Sequence, residues 1–107
     1  YVDDLAEAVI QVMRVSKPDW SEIVEPMCSH INVGSGVDVT IAELAGLIQE
    51  ATGFEGTIQF DASRPDGTPR KLMDVSKIRS LGWKPRHDLR SGLTKAVEAF
   101  NLEYDFA

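Results

Sequence analysis

Residues 30–45 read HINVGSGVDVTIAELA. The run from His30 to Val33 has the short apolar character of a strand, and Gly34-Ser35-Gly36 ends it. Thr40 then stands as an N-cap with Glu43 three residues on. That is the capping-box pattern, in which each side chain satisfies a backbone N–H that the first helical turn leaves unpaired. Val39 and Leu44 occupy the flanking staple positions, and Ile41, Leu44, Ala45 and Ile48 recur at helical spacing as the expected buried stripe. Gly53 is placed to close the helix in the left-handed conformation. Strand, Gly-x-Gly, helix is also the order of a phosphate-cradling turn. The complete dinucleotide fingerprint needs a third glycine at position 39, where Val39 stands, so the pair reads first as a tight turn.

Toward the N-terminus, Leu5, Val9, Val12 and Met13 recur at helical spacing and predict a helix from Asp3 to about Ser16. Asp3 is its expected N-cap, with Asp4 and Glu7 favouring the positive helix start. Paired aspartates also suit a metal, but no third ligand lies at a recognisable spacing, and capping is the reading adopted. Lys17-Pro18 predicts a stop, because the residue before proline disfavours the α region. Asp19 to Met27 reads as a loop with one helical turn around Trp20, a packing residue. Cys28 and His30 are close in sequence. Four zinc ligands cannot be assembled from the cysteines and histidines present, so Cys28 reads as a small buried hydrophobe.

Toward the C-terminus, Thr57 to Phe60 predicts a second strand with Ile58 and Phe60 on one face. A helix from Val75 to about Leu81 follows, capped by Asp74 and closed at Gly82. Trp83-Lys84-Pro85 reads as a turn. Asp88 caps a last helix to about Leu102, with Leu89, Leu93, Val97 and Phe100 on its core face and Gly92 at a close backbone approach. The expected class is therefore α/β. Two short strands are too few for a complete doubly wound sheet, so a covering element is expected in trans or from sequence outside these residues.

The 107 residues suffice for one domain with a modest core. At 43% hydrophobic and 26% charged the composition is that of a soluble globular chain, and no run approaches a membrane span. A net charge of −6 argues against nucleic acid as the partner. The single cysteine excludes an internal disulfide and suits a reducing cytoplasm. The first residue is Tyr1, not Met, which leads us to expect a piece of a longer chain.

Residues 61–74, DASRPDGTPRKLMD, carry the chemistry. Pro65, Gly67 and Pro69 exclude a regular element, and Pro-Asp-Gly-Thr reads as a tight turn. Arg64, Arg70 and Lys71 gather here in a chain that is acidic overall. Their donors suit phosphate oxygens, while Asp66 can accept from a sugar hydroxyl or a base. A solvated connection is the plainer reading of such a loop on composition alone.

The residues also resemble a known family. YVDDLAEAV at Tyr1 to Val9 and HINVGSGVDVTIAELA at His30 to Ala45 are similar to segments shared by extended short-chain dehydrogenases/reductases that act on nucleotide sugars. FDASRPDGTPRKLMDVSKIRSLGW, Phe60 to Trp83, is narrower, and its PDGTPRK run resembles the GDP-L-fucose synthase branch, in its C-terminal part. The resemblance implies a fragment of a Rossmann-type enzyme carrying the smaller substrate-binding domain over residues 1–107. It implies NADP(H)-dependent conversion of GDP-4-keto-6-deoxy-D-mannose to GDP-L-fucose, by epimerisation at C3 and C5 and reduction at C4. It further implies a cytoplasmic homodimer with a GDP-sugar substrate and neither nucleic acid nor membrane as partner. Matched motif to motif, Lys71 is expected at the GDP moiety and Asp66 at the nucleotide ribose or base, with Arg70 and Arg64 on the same surface.

The departures bear on chemistry. The family's Gly-rich fingerprint, its Tyr-x-x-x-Lys pair and its Ser are absent from these residues. So are the Cys and His of epimerisation, whose motifs Cys28 and His30 do not match. No catalytic, cofactor-binding or metal-binding residue is therefore assigned, and the chain alone is expected to be inactive. Two alternatives stand: the C-terminal part of another nucleotide-sugar epimerase or dehydratase, and a stand-alone nucleotide-sugar binding module.

Overall fold

A computed structural model describes residues 1–65 and 67–104. Its helices are α1 (Val2–Met13), α2 (Lys17–Ile23), α3 (Ile41–Thr52), α4 (Ser76–Ser80) and α5 (Leu89–Glu103). The described chain divides into two compact units, Tyr1–Val37 with Leu72–Arg86, and Asp38–Lys71 with His87–Ala107.

The first unit holds the buried core: Ala8 of α1, Val75, Ile78 of α4, and Trp83. Val12, Ile31, Val33 and Leu81 pack against it. Ile78 is fully buried, which stabilises by roughly 1.5–3 kcal/mol over an exposed side chain. Trp83, read as part of a turn, is instead a core residue. Polar bonds fasten the segments around this core. Gln11 donates from its side-chain amide to the Leu81 carbonyl. Asn32 Nδ2 donates to the Asp74 carbonyl at 3.1 Å, and Arg86 pairs with Glu7 at 2.9 Å.

Helix α1 corrects the sequence reading twice. Tyr1, not Asp3, holds the N-cap position, with no side-chain cap bond; Asp3 and Asp4 lie inside the first turn, where they still favour the helix dipole. The buried face runs through Asp4, Ala8 and the half-buried Val12, while Leu5, Val9 and Met13 of the predicted stripe are exposed, Met13 by 79%. The helix also ends at Met13, and Pro18 begins α2 rather than ending structure. Ser16 caps α2, its Oγ accepting from the Asp19 N–H at 3.3 Å. Proline costs nothing in a first turn, where its missing N–H has no helical partner. The loop expected from Asp19 is therefore helical to Ile23.

The α/β expectation is corrected as well. Among the described residues there is no strand, only an isolated bridge between Glu25 and Cys28. His30–Val33 does turn alternate residues, Ile31 and Val33, toward the core, as a strand would. Neither it nor Thr57–Phe60 pairs with a neighbour, and without a hydrogen-bonded ladder an apolar segment is not a sheet.

In the second unit α3 packs on α5. The capping box of α3 forms as read: Thr40 Oγ1 accepts from the Glu43 N–H at 3.1 Å, and Glu43 Oε2 accepts from the Thr40 N–H at 2.8 Å. Gly53 closes the helix at φ 66°. Asp88 caps α5, its Oδ1 accepting from the Ser91 N–H at 2.8 Å, and Gly92 in the first turn is buried. The predicted stripes hold in part. Leu44, Ala45, Leu93 and Val97 are half-buried, as is Leu47, but Ile41, Ile48, Leu89 and Phe100 are exposed. An ion pair between Arg90 and Glu50 joins α5 to α3.

Candidate functional site

The part of the 61–74 loop that belongs to the second unit, residues 61–71, is a chain of short local restraints. Asp61 Oδ1 accepts from the Ser63 N–H at 3.0 Å and from the Ser63 hydroxyl at 2.6 Å, an Asx turn that opens the loop. Arg64 folds back to Asp61, with Nε 3.4 Å from Oδ2. At the far end, Arg70 grips Asp38 in a two-pronged pair: Nε donates to Oδ2 at 2.6 Å and Nη2 to Oδ1 at 3.2 Å. The hydrogen bonds from Arg70 hold the Asp38 carboxyl below the usual carboxylate range, and the same contact raises the Arg70 guanidinium. The hydroxyl and N–H of Ser63 lower Asp61 in the same way.

Of the three cations in the loop, two are thus engaged by carboxylates of the protein itself. Lys71 is exposed and has no hydrogen bond or ion pair with any described residue. Asp66, the residue matched to the nucleotide ribose or base, lies outside the described residues. The structure therefore places Arg64, Arg70 and Lys71 on one exposed loop. It adds Asp38, which sequence reading missed. No local signal links Asp38 to Arg70 across 32 positions.

In the first unit, the Gly34-Ser35-Gly36 turn is occupied by protein. Gly36 has φ 75°, and Arg79 Nη2 donates to the Ser35 carbonyl at 3.0 Å. A Cβ at Gly36 would collide with the Arg79 guanidinium. The second glycine is therefore accounted for by a positive φ and a close side chain, which favours the tight-turn reading over a phosphate cradle.

Cys28 and His30 do approach each other, Sγ to Nδ1 at 4.0 Å. Lys77 Nζ donates to the Cys28 carbonyl at 3.1 Å and lies 3.6 Å from Cys28 Sγ. These bonds fasten α4 to the segment at Cys28–His30. Among the described residues no group of three or more His, Cys, Asp or Glu side chains is arranged to hold a metal ion. No helix among them is long and apolar enough to cross a membrane.

No family model matches the chain. Individual relatives do. Over 100 residues, 94% of the chain, it is 50% identical to the GDP-L-fucose synthase of Escherichia coli strain K12. The chain matches the C-terminal region of GDP-L-fucose synthase. It is likewise 53% identical over 98 residues, 92% of the chain, to a probable GDP-L-fucose synthase 1 of Oryza sativa subsp. japonica. Among solved structures, a GDP-6-OMe-4-keto-L-xylo-heptose reductase from C. jejuni superposes with a TM-score of 0.80 at 37% identity, covering 95% of the chain. In length, the chain spans 31% of the E. coli synthase, 27% of the rice protein and 30% of the C. jejuni reductase.

Proposed function

We propose that residues 1–107 are the C-terminal, substrate-binding region of an NADP-dependent enzyme of the GDP-L-fucose synthase type, and that the 61–71 loop binds the GDP moiety of its sugar nucleotide. The observation that carries this reading is the state of the loop's cations. Arg64 and Arg70 are matched by Asp61 and Asp38, which leaves Lys71 exposed with its ammonium uncommitted among the described residues. An ammonium on a flexible stem is a point charge suited to a diphosphate. Asp66, five positions earlier, supplies an acceptor for ribose hydroxyls or base N–H groups, and Arg64 and Arg70 share the surface. The 50% identity to a GDP-L-fucose synthase supports GDP as the nucleotide.

In the intact protein the substrate would be GDP-4-keto-6-deoxy-D-mannose, epimerised at C3 and C5 and reduced at C4 by NADPH. These residues would bind and orient the nucleotide handle. No dinucleotide seat is assigned to these residues; the Arg79 bond to the Ser35 carbonyl supports reading Gly34–Gly36 as a tight turn. NADP(H) would be held by a Rossmann portion outside residues 1–107, and no step of hydride transfer is assigned to the residues described. The exposed stripe of Leu5, Val9 and Met13 on α1 is consistent with further structure covering this region. A cytoplasmic homodimer completes the reading.

Calorimetric titration of the intact protein with GDP and with UDP tests the proposal. Preference for GDP supports it. Preference for UDP favours another nucleotide-sugar epimerase, and binding of neither overturns it.

A further inference from the structure

We infer that Asp38 is a positioning residue for nucleotide binding: by clamping Arg70 it fixes the end of the loop and presents Lys71 to the ligand's phosphates. The inference rests on the GDP-binding reading above and deepens it.

Asp38 receives both prongs of the Arg70 guanidinium, at 2.6 and 3.2 Å, the planar pairing that restricts both side chains most. Asp38 stands two residues before Thr40, the N-cap whose box with Glu43 fixes the start of α3. The clamp therefore ties a proline-bearing loop to a rigid helix start, and Lys71 is the next residue along. At its beginning the loop is turned locally, where Asp61 holds Ser63 and Arg64. A segment tethered beside its ligand-binding residue loses less freedom when a ligand binds, and affinity rises for that reason without a new contact.

The alternative role for the pair has the opposite sign. If Arg70 were a phosphate ligand that Asp38 merely sequesters, removing the aspartate charge would free a cation and strengthen binding. If Asp38 positions the loop, the same change weakens binding, even though it removes a negative charge near an anionic ligand. Simple electrostatics cannot mimic the predicted result.

The test is titration of the intact protein and its variants with GDP. Asp38→Asn is expected to bind roughly two- to fivefold more weakly than the unaltered protein, the range of a well-formed exposed ion pair. Arg70→Lys keeps the charge but loses the fork, and is expected to show a similar loss. The double variant Asp38→Asn/Arg70→Lys is expected to bind no more weakly than either single one, because both remove one clamp. Unchanged or tighter binding by Asp38→Asn, unaltered affinity in Arg70→Lys, or additive losses in the double variant would each overturn the clamp while leaving the GDP reading standing. Failure of the unaltered protein to bind GDP would overturn both.

Discussion

Arg79 donates from Nη2 to the backbone carbonyl of Ser35 at 3.0 Å, across 44 positions of sequence, and its guanidinium lies where a side chain on Gly36 would have to go. Two costs therefore meet at one residue. Gly36→Ala forces an L-residue to φ 75° and pushes the methyl into Arg79. Gly53 has a similar φ of 66°, but a Cβ there meets nothing within 4 Å. The backbone penalty alone is about 1–2 kcal/mol. Gly36→Ala is expected to lose that and more in urea denaturation, and Gly53→Ala only the backbone part. Equal losses would mean that the Arg79 guanidinium moves aside from the added methyl at no cost.

The core of the first unit is small, so each member matters. Ile78→Ala removes a fully buried side chain and is expected to destabilise by about 2–5 kcal/mol, the transfer loss plus the cavity left behind. Ile41→Ala, at a position 75% exposed, is expected to change stability by less than about 0.5 kcal/mol. Chemical denaturation of the two variants side by side checks both. A large effect at Ile41 would show that its face is covered in solution.

Acid should weaken the fold and the clamp together. Hydrogen bonds hold Asp38, Glu43, Asp61, Asp74 and Asp88 below their ordinary values, with partners Arg70, Thr40, Ser63, Ser76 and Ser91 respectively. A carboxyl whose folded pKa is depressed contributes stability that is fully present above its unfolded pKa and lost as pH falls through the folded one. Those ordinary values are 3.8 for aspartate and 4.5 for glutamate. Stability is therefore expected to be insensitive to these groups near neutral pH and to decline as pH falls below that range. In an NMR titration the Asp38 carboxyl should reach its midpoint below 3.8. A midpoint at or above that value would contradict the pairing with Arg70.

What was legible in the sequence was local. Thr40, Glu43, Gly53 and Asp88 announce helix ends because a cap is made within three or four residues. Pro18 misled for an equally local reason, since proline is as much at home in a first turn as beyond a last one. The strands expected at His30–Val33 and Thr57–Phe60 would depend on partners elsewhere, and apolar alternation says nothing about whether a partner is present. The stripe on α1 shows the same limit: helical spacing picked Leu5, Val9, Val12 and Met13, but of these only Val12 packs on the core, and the buried residues of α1 are Asp4 and Ala8. At the site, composition and resemblance found the cations of the loop. They did not find Asp38, whose role depends on a contact across 32 positions.

Lys71 carries the account, and its replacement in the intact protein tests it most directly. A charge-assisted contact to phosphate contributes about 1.5–3 kcal/mol, so Lys71→Ala is expected to raise the Kd for GDP by roughly ten- to a hundredfold. The thermal midpoint should stay unchanged, because Lys71 is exposed and makes no hydrogen bond or ion pair with the described residues. A Kd equal to that of the unaltered protein would contradict the assignment of this loop to the nucleotide.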